Sequence, residues 1–127
     1  MALTNVGRNF IAQAIINDGS PTFFSNGTAH IGVGDSATAF IATQTDLQAA
    51  TNKLRKSMDT SYPTRATNAI TFQSTFSTAE ANFAWNEWAV FNAAASGTML
   101  NRLVESLGTK TSAQSWLLNV TLTVVAG

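Results

Sequence analysis

The chain has 127 residues, of which seven are basic and seven acidic, giving a formal net charge of zero. That length predicts one domain, spanning 1–127, that is able to bury its own core. The absence of cysteine excludes disulfides and thiolate chemistry but does not fix a compartment. Charged residues make up 11% of the chain, about half the usual fraction. Such a surface argues against electrostatic nucleic-acid binding and favours association with other protein.

Residues 3–18 are predicted to form the chain's one helix. Apolar side chains recur there at helical spacing, at Leu3, Val6, Phe10, Ile11, Ala14 and Ile15. Thr4 suits the N-terminal cap, and Asn17-Asp18-Gly19 provides a stop in which Gly19 suits the left-handed position. The first fifteen residues lack the uninterrupted apolar core of a signal peptide, and no apolar run is long enough for a membrane span. We therefore expect a protein made and folded in a cytoplasm, with no membrane partner.

Beyond residue 28 the apolar spacing changes to the alternation of β-strands. Candidate strands are 30–33, 53–58, 68–76, 87–91, 99–106 and, most clearly, 115–125. Phe40, Ile41 and Leu47 are the expected anchors of the looser segment between the first two. Short alternating runs separated by Gly, Pro, Asn and Ser predict a mainly β domain. The expected architecture is an antiparallel β-sandwich or jelly-roll-like barrel over about 28–125, with the one N-terminal α-helix.

The stretch 79–92 is expected to anchor the core, because it carries Phe83, Trp85, Trp88 and Phe91. Together with Trp116 of the last strand, these aromatic residues are the candidates for structural core or interface positions. Strict alternation along a strand places Phe83, Trp85 and Phe91 on one face and Trp88 on the other. Both faces should then be covered, one of them by a second layer such as the helix or a neighbouring subunit.

The residues that usually carry catalysis are sparse. His30 is the only histidine, so a metal site with two histidines is excluded. Glu80 and Glu87 are close enough in sequence to suggest the carboxylate pair of a glycosidase. The aromatic neighbours of Glu87 instead favour a structural carboxylate paired with Arg102 or Lys110. We predict no catalytic, cofactor-binding or metal-binding residues, and no enzyme activity.

Gly32-Val33-Gly34-Asp35 resembles half of a phosphate-binding loop. A dinucleotide fingerprint needs a third glycine where Ala37 stands, and a Walker loop needs a Gly-Lys pair that is absent. The simpler interpretation is a strand-ending turn that uses the positive φ available to glycine.

Lys53, Arg55, Lys56 and Arg65 form the only basic cluster. Without interleaved aromatic residues, four charges are more typical of a solvated strand face or a set of salt bridges than of a nucleic-acid site. We therefore expect no direct contact with nucleic acid.

Two stretches together resemble small virion proteins of tailed bacteriophages. The first reads HIGVGDS at 30–36 and continues to TDL at 45–47; the second reads FAWNEWAVFN at 83–92 and continues to GTMLNR at 97–102. Similar patterns occur in domains of tail-fibre and baseplate proteins and in short head proteins. The similarity spans about residues 28–105.

The resemblance implies a non-enzymatic structural protein of the virion. A fibre protein would continue into a long shaft, whereas the last predicted strand here runs nearly to Gly127, which favours a capsid decoration, or cement, protein. Its expected partners are the major capsid protein or other virion proteins, and further copies of itself in a homo-oligomer. A tail or baseplate adaptor is the alternative. A carbohydrate-binding module that uses the aromatic residues and Glu87 is a more distant one.

Overall fold

The computed structural model describes residues 2–127, which form one helix and seven strands. These elements are α1 Asn5–Ile16, β1 His30–Gly34, β2 Lys53–Ser57, β3 Thr64–Ala66, β4 Ala69–Phe76, β5 Ala84–Phe91, β6 Met99–Thr109 and β7 Trp116–Thr123. The strands form two antiparallel sheets, ordered β2-β1-β5-β6 in sheet A and β3-β4-β7 in sheet B. The prediction of a mainly β sandwich with one N-terminal helix is confirmed. The barrel alternative is wrong, because the described strands stay in two separate sheets.

The main core lies between the two sheets, since each strand turns alternate apolar side chains inward. Val33 on β1, Phe72 and Phe76 on β4 and Trp85 on β5 are buried in this core. The rings of Phe76 and Trp85 meet edge to face with centroids 4.8 Å apart, and Trp116 of β7 lies 5.0 Å from Trp85 on the other side. These aromatic contacts join sheet A to sheet B.

A second, smaller core lies on the outer face of sheet A. The segment 35–52, which links β1 to β2, folds over that face and packs Leu47 against Ala89, Phe91 and Met99. Because both faces of sheet A are covered, β5 is buried without interruption from Glu87 to Phe91. Of the predicted anchors of this segment, Leu47 is confirmed and Phe40 is half-buried. Ile41 was wrongly predicted, because it is exposed.

The helix is shorter than predicted and approaches sheet A most closely at Gly7. Thr4 caps its start as expected, accepting a hydrogen bond from the backbone N–H of Gly7 at 2.9 Å. Asn17, rather than Gly19, takes the left-handed cap position at the end, although Gly19 also has a positive φ. Gly7 is the one buried helical residue and lies against the backbone of Leu100 on β6. The remaining apolar residues of α1 are partly or largely exposed.

The two glycines of β1 serve close packing and not a turn, so the positive-φ interpretation was wrong. The glycines with positive φ are Gly19, Gly97 and Gly108. A Cβ on Gly32 would lie 2.7 Å from a ring carbon of Phe91, and one on Gly34 would lie 2.5 Å from a carboxylate oxygen of Glu87. Strand β1 therefore needs glycine because buried side chains of β5 cross directly over its backbone.

Candidate functional site

An open apolar groove lies between α1 and sheet B. Its volume is about 440 Å³. It is lined by Phe10, Ile11, Ala14, Ile15, Phe23, Phe24, Ile70, Phe72, Leu100, Leu122 and Val124. The lining is apolar throughout, so the groove suits the side chains of another protein better than a polar metabolite.

One wall of the groove is built by aromatic side chains that the chain brings together after the helix. Pro21 cannot continue a helix, and the loop that follows it returns Phe23 and Phe24 to α1. Phe10 meets Phe24 edge to face at 4.9 Å and Phe23 at 6.5 Å, and Phe24 reaches Phe72 of β4 at 6.5 Å. This chain of rings attaches the helix to sheet B while leaving the outer side of Phe23 exposed.

The opposite wall of the groove is the C-terminal end of β7. The predicted alternation of this strand is confirmed, with Leu118, Val120 and Leu122 turned inward and Leu117 exposed. β7 pairs with β4 along its whole length, from Trp116 opposite Phe76 to Thr123 opposite Ala69. Its other edge makes no backbone hydrogen bond to any described residue. The strand therefore offers a free row of backbone donors and acceptors next to an apolar groove.

Glu87 lies in the interior and has its charge fully partnered. Its carboxylate accepts a 2.7 Å bond from Nε of Arg102 and bonds of 2.8 Å from the backbone N–H groups of Gln48 and Ala49. Both ends of the ion pair are 0% exposed. The predicted pairing with Arg102 is confirmed, whereas Lys110 bonds elsewhere, to the Ser77 carbonyl. The pair fastens the segment 35–52 onto sheet A and presents no carboxylate oxygen to solvent.

Glu80 is occupied in a different, half-exposed pair. Nζ of Lys56 lies 3.0 and 2.8 Å from its two oxygens, and the backbone N–H of Ser77 donates at 2.9 Å. The bond from Lys56, followed by that from Ser77, lowers the pKa of Glu80 from its ordinary 4.5 to about 2. The Glu80 carboxylate is thus held ionised and joins β2 to the turn before β5. It does not share a site with the Glu87 carboxylate, which lies beneath the segment 35–52.

The four aromatic candidates of the stretch 79–92 do not divide between faces as strict alternation predicts. Trp85 and Trp88 are both buried in the core between the sheets, with Phe83 and Trp116 partly buried against it. Phe91 lies on the opposite face, in the smaller core. The assignment of Trp88 and Phe91 was therefore wrong. The cause is an irregularity in the pairing between Trp85 and Glu87. There β5 advances by two residues while its partner β6 advances by four, from Gly108 to Val104, and the side chains that follow on β5 face the opposite way.

The remaining sequence candidates have local roles. Nδ1 of His30 lies 2.8 Å from the carbonyl oxygen of Thr28. Lys53 and Arg55 both pair with Asp46, and the guanidinium of Arg55 lies 3.5 Å over the centre of the Phe91 ring. Among residues 2–127, no three His or acidic side chains gather in a group able to hold a metal. Within the same residues, no helix is long and apolar enough to cross a membrane.

The groove and the free edge of β7 are features that sequence reasoning missed. The sequence held a signal for each feature. For the strand edge, β7 has no charged residue; for the groove, α1 carries the adjacent pair Ile15-Ile16, which cannot both face one core. Comparison with known proteins adds nothing to these observations. No protein-family model matches the chain, and no curated protein is significantly similar to it.

Proposed function

We propose that this protein is a non-enzymatic structural component of a bacteriophage virion, a decoration protein that binds and stabilises the assembled head. An exposed apolar patch on a molecule of zero net charge carries the proposal. We call it the helix-tip patch: Ile15, Ile16 and Phe23, which are 78%, 75% and 54% exposed. Water solvates such a surface poorly, so burying it against another protein is favourable.

The stretches that resemble phage virion proteins meet on adjacent strands, and this supports a shared architecture. Gly34 of β1 faces Glu87 of β5, which pairs in turn with Arg102 of β6. One residue earlier on β6, Oδ1 of Asn101 accepts the backbone N–H of Val90 at 3.1 Å. The HIGVG, NEW and LNR motifs are thus parts of one buried structure.

The major capsid protein is the partner that we propose for the helix-tip patch. A net charge of zero means that repulsion does not oppose close approach to a shell, and the binding energy must then come from apolar contact. If a copy contacts more than one capsid subunit, it binds the assembled lattice but not free subunits. The bound state then stabilises the lattice by mass action.

The test is binding to purified heads of the phage that encodes the chain, measured by co-sedimentation. The double variant Ile15→Ser, Ile16→Ser should lose most of the binding while keeping its fold, because both side chains are already exposed. Ile41→Ser is the matched control, since Ile41 is 58% exposed and does not line the groove. Undiminished binding by the double variant, or equal loss in the control, would contradict the proposed contact. A wild-type protein that does not bind heads would remove the function itself.

A further inference from the structure

Four strand edges border the two sheets, and three of them are protected against pairing with another chain. Edge strands are commonly blocked by charge, by short length or by covering segments. β2 carries Lys53, Arg55 and Lys56, and β3 has only three residues, with Arg65 at its centre. The start of β6 is covered by the segment before α1, through the bridge between Leu3 and Asn101, and its later part carries Glu105 and a break in the register with β5.

β7 is the unprotected edge. It runs for eight residues without a charged residue, a proline or a glycine, and its register with β4 is continuous, without a bulge. Its outward-facing side chains beyond Leu117 are the uncharged Asn119, Thr121 and Thr123. A flat, uncharged strand of this length is a template for β-sheet extension.

The start and the end of β7 carry apolar surfaces that would face each other if two copies of the strand paired antiparallel. At its start, a shallow pocket is lined by Trp85, Leu107, Trp116, Leu117 and Leu118. At its end, Leu122 and Val124 form the wall of the apolar groove. When a strand pairs antiparallel with a copy of itself, the start of each strand lies opposite the end of the other. Each pocket would therefore receive apolar side chains from the groove end of the second strand.

Pairing at the β7 edge would bury apolar surface that is exposed in the single chain. Leu117 and Val124 are 55% and 63% exposed, and Ile11 and Leu107, each 37% exposed, add apolar surface around the same edge. Together these side chains expose roughly 300 Å² per copy, since one large apolar side chain presents on the order of 150 Å² when fully exposed. A standard interface takes about 800 Å² from each partner, and the strand backbone contributes toward the rest.

We propose that β7 pairs antiparallel with β7 of a second copy across a twofold axis. The two three-stranded sheets then become one six-stranded sheet, and no like charges face each other across the seam. Such an interface is self-complementary, because each copy supplies the same surface. The inference holds whether or not the chain is a virion component, because it rests on the edge of β7 and on the apolar side chains beside that edge.

Sedimentation equilibrium of the purified full chain tests this proposal. The expected mass is twice the 13.4 kDa of one chain. The double variant Asn119→Lys, Thr121→Lys places like charges opposite one another across the axis and should sediment as a monomer with an unchanged circular dichroism spectrum. Thr64→Lys, on the exposed edge strand at the other side of sheet B, should remain a dimer. A monomeric wild type, or a dimer that survives the double variant, would overturn the proposal.

Cysteine cross-linking gives a second readout that does not depend on a destabilising change. The chain has no cysteine, so single variants at Leu117, Asn119, Thr121 and Thr123 can each be oxidised without competing thiols, as can the double variant Asn119→Cys, Thr121→Cys, which covers the register in which Asn119 faces Thr121. Opposed side chains in an antiparallel pair lie about 5 Å apart at Cβ, close to the spacing that a disulfide needs. At least one of these variants should cross-link faster than Ala66→Cys on β3. If none does, the proposed pairing of β7 with a second copy is wrong. Binding of a strand from a different protein would then explain the free edge of β7 better.

Discussion

The buried ion pair of Glu87 and Arg102 offers the sharpest test of how this fold is held together. Glu87→Gln keeps the shape of the side chain but removes the charge that neutralises Arg102, which has no exposed surface. Both carboxylate oxygens of Glu87 accept a hydrogen bond from a backbone N–H group, one from Gln48 and one from Ala49. In the glutamine variant an NH₂ group replaces one of these oxygens, so a donor faces a donor there. Breaking a buried pair in this way costs about 3–5 kcal/mol, a large share of the roughly 5–15 kcal/mol that stabilises a typical domain.

Urea unfolding followed by tryptophan fluorescence measures this cost, because Trp85 and Trp88 are buried in the main core. Glu80→Gln is the matched control: it removes a carboxylate from a half-exposed pair with Lys56 and should cost about 1 kcal/mol or less. Adding Arg102→Met to Glu87→Gln should restore part of the lost stability, since the unpaired charge is then gone. Equal losses in Glu87→Gln and Glu80→Gln, or no recovery in the double variant, would refute this reasoning.

Three further changes test the helix and the surface pair. Gly7→Ala should lower the free energy of unfolding, measured in urea, by about 1–3 kcal/mol, because the new methyl carbon would lie 2.9 Å from the carbonyl carbon of Leu100. Asn9→Ala, on the exposed side of the same helix, should leave that free energy unchanged. Thr4→Ala removes the N-terminal cap and should cost about 1–2 kcal/mol in the same assay. The stability difference between wild type and Glu80→Gln should be fully present above pH 4.5 and disappear as the pH falls toward 2, because folding lowers the pKa of Glu80. Thermal unfolding of both proteins between pH 4.5 and pH 2 checks this pH dependence. A stability difference that persists in full near pH 2 would contradict it.

Local sequence patterns predicted the helix and the strands better than they predicted how the strands pair and pack. The Thr4 cap and the alternation of β7 depend on neighbours in sequence, so they were readable from the chain. The pairing of Glu87 with Arg102 was also accessible, because a carboxylate among aromatic residues needs a cation. The irregularity after Trp85 was not, since it is defined by the pairing of β5 with β6 and leaves no mark in the spacing of apolar residues along β5.

The surface features were harder still, because they depend on which strands become edges. The lack of charged residues in β7 was the one local signal, and a strand paired on both sides can share it. The covering of sheet A by the segment 35–52 was equally hidden, since its attachment relies on backbone N–H groups at Gln48 and Ala49 that every sequence possesses. Long-range hydrogen bonds of this kind leave no periodic signature.

Electron cryomicroscopy of the phage particle, with and without this chain, tests the proposed function most directly. We expect copies in the hundreds on the outside of the head, with Ile15, Ile16 and Phe23 against the major capsid protein, and heads that burst more readily when the chain is missing. A ring of roughly six or twelve copies at the tail would instead identify an adaptor. Particles that contain no copy at all would contradict the virion assignment.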